Sequence, residues 1–180
     1  QLPNSFSNKI LELSVVDSTN NYAHLLLSNQ QAEHGMVIQT AFQTAGKGQR
    51  GNTWQSQAQE DILMSIILFH EGSDLESQFV LNMAISNAVR KTIQLLVPQK
   101  MVLVKWSNDI YIDDQKIAGV LIENIVRGSE WKYSIVGLGI NVNSVFVDAT
   151  LLNLTSLMLE LGKLIDLKSV RQILLQSIQE

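Results

Sequence analysis

Short apolar runs alternate along the chain with one long helical pattern. Ile10 to Val16 alternates loosely between apolar and polar positions and predicts a strand. Asp17-Ser18-Thr19-Asn20 then offers helix-capping residues, and Tyr22-Ala23-His24-Leu25-Leu26-Leu27 continues as a helix. Gly35 precedes a strand over 36–42, and a solid apolar run predicts another over 62–69. Gly72 and Ser73 make a break. The longest helical pattern follows over 75–97, where Leu75, Phe79, Met83, Val89, Ile93 and Leu96 recur at helical steps until Pro98. Leu81, Ile85 and Ala88 add a second apolar face, which predicts a well-buried helix with its Met and Phe positions in the core.

Met101 to Trp106 predicts a short strand. Ile110-Tyr111-Ile112 and the apolar run 117–122 flank Asp113-Asp114-Gln115-Lys116, a hairpin signal. Trp131 to Ile140 is a further strand, broken by Gly137 and Gly139 before Asn141-Val142-Asn143. Glycines there mean close approach of the backbone to something, or tight packing. Leu154–Leu161 and Leu167–Ile178 predict amphipathic helices. Strands gather in the middle, helices at both ends. The expected class is α+β, a mixed, mainly antiparallel central sheet flanked by helices.

Composition narrows the partners. A chain of 180 residues, 46% hydrophobic with two prolines, is long enough for one domain with a substantial core. No run approaches the roughly 18 to 20 apolar residues that span a bilayer, and Gln1-Leu2-Pro3-Asn4 carries no signal-peptide pattern. No membrane partner is expected. Without cysteine there is neither a disulfide nor a thiolate nucleophile, which agrees with a reducing cytoplasm. A net charge of -4 argues against broad nucleic-acid binding. His24, His34 and His70 are scattered, without metal-ligand spacing.

Candidate chemistry concentrates between Gln43 and Trp54. Gly46, Gly48 and Gly51 interleave with Lys47 and Arg50, and apolar segments lie on both sides. Backbone amides beside two cations suit an anion, a phosphate above all; a glycine-rich turn without ligand is the plainer reading. A dinucleotide loop should open a helix, whereas this one leads to a strand. Kinase and phosphate-loop signatures are missing too. Ser18 and Thr19 either cap the helix they precede or also present hydroxyls and N–H groups to a ligand. Lys105, inside an apolar strand, calls for an anionic partner. Asp109 is that partner or a ligand for a divalent ion arriving with a nucleotide. Lys116, just after a hairpin turn, either points rigidly into a cleft or is a solvated surface lysine.

Taken in order, these blocks resemble biotin protein ligase, of the biotin/lipoate ligase superfamily. They are Asp17-Ser18-Thr19-Asn20, Gln43-x-Ala45-Gly46-Lys47-Gly48-x-x-Gly51-x-x-Trp54, Lys105-Trp106-x-Asn108-Asp109 with Lys116-x-x-Gly119, and Gly137-x-Gly139-Ile140-Asn141. The resemblance implies activation of biotin by ATP to biotinyl-5′-adenylate with release of pyrophosphate. Transfer to a lysine of a biotin carboxyl carrier protein, from a biotin-dependent carboxylase, would follow. It casts Lys116 and Lys47 as catalytic cations. Ser18, Thr19, Asn20, Gln43, Gly46, Gly48, Gln49 and Gly119 join them around biotin. Lys47, Gly48, Gln49, Arg50, Gly51, Trp54, Lys105, Asn108, Asp109 and Asn141 meet the ATP or adenylate, with Asp109 a candidate Mg²⁺ ligand. ATP, Mg²⁺ and biotin come and go; no permanently bound cofactor is implied.

The resemblance further implies one catalytic domain over 1–180, without the DNA-binding domain or the small C-terminal β-barrel that relatives carry. An exposed strand offers a route to a homodimer. Departures matter as well. The usual loop reads Gly-Arg-Gly-Arg-x-Gly-Arg, and Lys47, Gln49 and Asn52 stand here in place of its arginines; Ser107 replaces a common proline. A lipoate or octanoate ligase or transferase is the nearest alternative, and a non-catalytic biotin- or nucleotide-binding module is another.

Overall fold

The computed structural model describes residues 10–70, 76–145 and 153–180, so the Gly72–Ser73 break and Leu75 lie outside the described residues. In chain order the elements are Ile10–Leu13 (β1), Thr19–Ser28 (α1), Met36–Thr40 (β2), Ile62–Phe69 (β3), Ser77–Leu96 (α2) and Val102–Lys105 (β4). Then come Asp109–Ile112 (β5), Gln115–Arg127 (β6), Glu130–Ile140 (β7), Leu157–Leu161 (α3) and Leu167–Gln179 (α4). The described strands form one seven-stranded sheet in the order β1-β2-β3-β7-β6-β5-β4. β1 and β2 run parallel, as a crossover through α1 requires. Every other neighbouring pair is antiparallel. The expected α+β class and mixed, mainly antiparallel sheet are what the structure has.

Side-chain alternation divides the sheet into two unlike faces. On one face Val37, Met64, Ile66, Val120, Val136 and Leu138 join a core completed by Ile85, Val89 and Ile93 of α2 and by Val170, Leu174 and Ile178 of α4. On the other, Ala23 and Leu26 of α1 join a smaller cluster with Met36, Ile38, Ile67 and Ile135, with Leu11, Leu13, Phe69 and Ile125 packed against it. Next to that patch the register sets Ser65 opposite Gly137 and Leu63 opposite Gly139. Beyond them Leu121 faces Gly137, and Gly119 faces Gly139. Small residues on an uncovered face leave a hollow. This asymmetry places the site.

Three sequence expectations change. Phe79 and Met83 are 54% and 43% exposed, because only one side of α2 meets the sheet. The helix expected over 154–161 shrinks to Leu157–Leu161. Its first residues instead lie along β6, with Lys116 N–H donating to Asn153 O and Thr155 N–H to Lys116 O. β6 itself runs on to Arg127, well past Ile122.

Two polar groups, one buried and one half-buried, brace the ends of the central strands. Asp61, just before β3, accepts from Val142 N–H at 2.9 Å and Ser144 Oγ at 2.6 Å. Burial pushes its carboxyl above the usual carboxylate range, against the pull of those hydrogen bonds. His70, just after β3, stacks on Trp131 with ring centroids 3.6 Å apart and lies 3.0 Å from Ser134 Oγ. Burial, helped by His34, lowers its pKa from 6.5 to about 4. A base depressed on folding contributes stability that is whole above pH 6.5 and is lost as pH falls through about 4. The urea midpoint of the wild type should therefore drop across that window. His70→Phe, which keeps the stack but not the proton site, should remove part of the drop; an identical acid slope in the variant would exclude this origin.

Candidate active site

The hollow is a cavity of about 270 Å³ between the α1 N-terminus, the glycine segment and strands β6 and β7. Lys47 and Lys116, distant in sequence, both line it. Ser18, Thr19, Asn20, Gln43, Gly48, Gln49, Arg50, Trp54, Asn108, Asp109 and Gly119 line it too. Gly46, Gly51, Lys105 and Asn141, singled out in the sequence, do not.

The glycine segment folds as a small hairpin. Trp54 N–H donates to Gly46 O, Gly48 N–H donates to Asn52 O, and Lys47 bridges Thr53. The Gly48 amide is therefore spent inside the loop and is not available to an anion. A Cβ on Gly46 would sit 2.5 Å from Trp54 O, so this glycine lets the two arms of the hairpin close. At the tip, a single 3-10 turn spans Gln49–Gly51, with Arg50 at φ 56 and Gly51 at φ 81. A left-handed arginine carries steric strain of order 1 kcal/mol or more, and Arg50 is part of the cavity wall. Trp54 closes the loop by laying its indole on the sheet glycines. A Cβ on Gly139 would meet Trp54 Cε2 at 2.5 Å, and one on Gly119 would meet Cζ3 at 3.0 Å. Its indole N–H is buried and has no hydrogen-bond partner among the described residues.

Polar groups gather at the start of α1. Ser18 is the N-cap residue, yet its hydroxyl makes no capping bond; it faces the cavity instead. Gln43 Oε1 accepts from Thr19 N–H at 2.8 Å and lies 3.2 Å from Thr19 Oγ1. Ser65 Oγ is 2.8 Å from Thr19 Oγ1 and donates to Asn20 Oδ1 at 2.7 Å. Asn20 Nδ2 in turn donates to Glu123 Oε2 at 2.6 Å. Glu123 also stands 3.9 Å from Lys47 Nζ and 3.6 Å from His24 Nε2. Sequence motifs passed over both Ser65 and Glu123. The signal was there for Glu123: it follows Gly119 and Leu121 at steps of two on β6, and so shares their face.

On the opposite wall Lys116 Nζ pairs with Asp109 Oδ1 at 2.8 Å and lies 5.5 Å from the centre of the Trp54 ring. The expected partnership of Asp109 with a buried Lys105 does not form. The two are register neighbours, but Lys105 is exposed and its ammonium lies over the Tyr111 ring at 5.1 Å. On the edge strand β4 its side chain reaches water and needs no buried anion. Asn141 is also drawn elsewhere: its Nδ2 donates to Thr155 O, and its N–H to Ile117 O. With Asn143, which bonds both Ile165 N–H and Ile165 O, it ties the C-terminal segment to the sheet. Asn108 donates from Nδ2 to Val120 O, which fixes the turn after β4. Trp106, 64% exposed, packs on Phe79 at the rim.

The donor set does not make a resident Mg²⁺ site. Among the described residues no group of three His, Asp or Glu side chains converges, and Asp109 is committed to Lys116. A lone carboxylate suits an ion brought in by phosphates better than one caged by protein.

The fold is that of solved biotin protein ligases. The enzyme from Aquifex aeolicus, in complex with biotin and ATP, aligns with a TM-score of 0.78 and 28% identity, over 95% of this chain and 68% of its own. The Leishmania major enzyme in complex with biotinyl-5-AMP has the same TM-score of 0.78 at 24% identity, and shows the fold alone. The family model for biotin/lipoate A/B protein ligases matches residues 12–141. The chain belongs to that family. It is 30% identical over 141 residues to the bifunctional ligase/repressor BirA of Escherichia coli, covering 78% of this chain and 43% of that one. It is 33% identical over 144 residues to the human biotin–protein ligase, covering 75% of this chain and 19% of that one. The chain thus spans less than half the length of these relatives. No helix among the described residues is long and apolar enough to cross a membrane.

Proposed function

We propose that the cavity activates biotin with MgATP to biotinyl-5′-adenylate and passes the biotinyl group to a lysine of a biotin carboxyl carrier protein. One observation carries this reading. Lys47, Arg50 and Lys116 line one cavity together with a polar set, Ser18, Thr19, Asn20 and Gln43. A carboxylate attacking an α-phosphate brings two anions together, and charge builds on the phosphorus oxygens as pyrophosphate leaves. Cations fixed beforehand offset both, without reorganising at the moment of reaction. Lys116, already drawn inward by Asp109, would exchange that carboxylate for the substrate acid. The polar set suits a ring rich in N–H and C=O groups. Mg²⁺ enters with the nucleotide as part of the substrate. No protein nucleophile is required, which is consistent with a cysteine-free chain. A cytoplasmic setting and a homodimer built on an exposed strand belong to the same reading.

The test is mass spectrometry after incubation with biotin, lipoate and MgATP together. A biotinyl-adenylate product is expected; a lipoyl-adenylate would reassign the enzyme, and no adenylate would reduce it to a binding module. A second expectation concerns retention. Gln49 and Asn52 line the cavity where relatives place arginines. Each charged hydrogen bond missing there is worth about 1.5–3 kcal/mol, so adenylate should leave about tenfold faster or more than from an arginine-complete relative. Gln49→Arg should slow release. Equal residence times in a filter-release assay would count against it.

A further inference from the structure

Asn20 is 3% exposed and lines the cavity, and its amide is held from both ends. Its Nδ2 donates to Glu123 Oε2 at 2.6 Å, and its Oδ1 accepts from Ser65 Oγ at 2.7 Å. Glu123 as a carboxylate can only accept, so the amide nitrogen must face it. The packing beneath is equally restrictive: a Cβ on Gly137 would lie 2.4 Å from Asn20 Oδ1. A primary amide has two N–H donors and two acceptor lone pairs. One of each is used here, which leaves one of each in a set orientation.

We infer that Glu123 is a positioning residue for substrate recognition, because it sets through Asn20 which way this remaining donor and acceptor face a ligand. The ligand class is a cyclic urea, which pairs N–H and C=O groups on one edge; the inference rests on the biotin reading above. The other contacts of Glu123 are weaker levers. Lys47 Nζ at 3.9 Å and His24 Nε2 at 3.6 Å are half-exposed partners, and water screens such pairs so that they contribute little. The short charge-assisted bond to Asn20 dominates.

Glu123→Gln preserves shape and keeps one acceptor oxygen for Asn20 Nδ2, but removes the negative charge that strengthens that bond. Calorimetry should show biotin affinity weaker by about three- to tenfold, the loss of the charge assistance on that one hydrogen bond. In steady state the KM for biotin should rise by the same factor with kcat nearly unchanged. A merely structural role would lower the melting temperature and leave that split absent. Made on top of Asn20→Ala, Glu123→Gln should weaken biotin little further; losses that multiply would overturn the inference. If Glu123→Gln does not fold, Ser65→Ala frees the other end of the amide and should weaken biotin in the same way. Normal biotin affinity in Ser65→Ala and in any folded Glu123→Gln protein would sink the positioning role alone. Unsubstituted protein that binds no biotin would sink the functional reading, and this inference with it.

Discussion

Lys116→Ala is expected to leave a folded protein whose adenylation step is about 100- to 1000-fold slower, the loss found when one donor to developing charge is removed. Folding should survive because the side chain faces the cavity, 24% exposed, and no core contact depends on its ammonium. What holds this stretch of β6 is backbone: Lys116 N–H on Asn153 O, and Thr155 N–H on Lys116 O. Alanine keeps both. The chemical loss has two parts. The cation that would join the carboxylate and the phosphate disappears. Asp109 Oδ1, now 2.8 Å from nothing positive, stays behind as a third anion in the cavity. Adding Asp109→Asn to Lys116→Ala should therefore recover part of the rate, although it restores no charge. Single-turnover formation of biotinyl-adenylate measures both variants. Near-normal turnover of Lys116→Ala would mean the lysine has been given the wrong role.

Gly139→Val should damage the site as severely by a different route. The first atom added would already lie 2.5 Å from Trp54 Cε2, 2.7 Å from Cζ2 and 2.9 Å from Cδ2. The indole cannot slide aside along the sheet, since Gly119 is in contact with its other edge. Nor can β7 retreat, with Ile62 and Ala118 paired across Ile140 on either side. The ring must lift, and it carries the closing end of the glycine hairpin with it. Overpacking of this kind costs about 1–3 kcal/mol of stability. A displacement of about 1 Å in the loop cations costs about 100-fold in kcat/KM. Gly119→Ala, where the nearest ring atom is 3.0 Å away, should do less than Gly139→Ala at 2.5 Å. In a Trp54→Ala background, Gly139→Ala should have almost no further effect. Additive losses there would show that the indole does not transmit the damage.

Both arguments depend on residues that belong to one site only because the sheet brings them together. Lys47, Lys116 and Trp54 were each visible in the sequence as members of local patterns. The strands were visible too, because a solid apolar run such as 62–69 has few alternatives to a central strand. Lys105 and Asn141 stood in equally plausible patterns and went elsewhere. Lys105 sits on an edge strand, where a long side chain reaches water. Asn141 sits where the chain leaves β7 and its own backbone needs partners. Phe79 and Met83 kept the helical spacing of core residues, yet lie on the side of α2 that meets no sheet.

Periodicity and turn residues thus decided the class of fold, the order of its elements and the presence of a cation-bearing glycine segment. These are local properties, since the backbone period and the φ values that glycine permits are felt within a few residues. Which sheet face a helix covers, and which is left hollow, is a property of packing between distant segments. Only the tertiary structure could therefore set Glu123 and Ser65 on the Asn20 amide and spend the Gly48 amide inside its own loop. The same packing laid the Trp54 ring on Gly139.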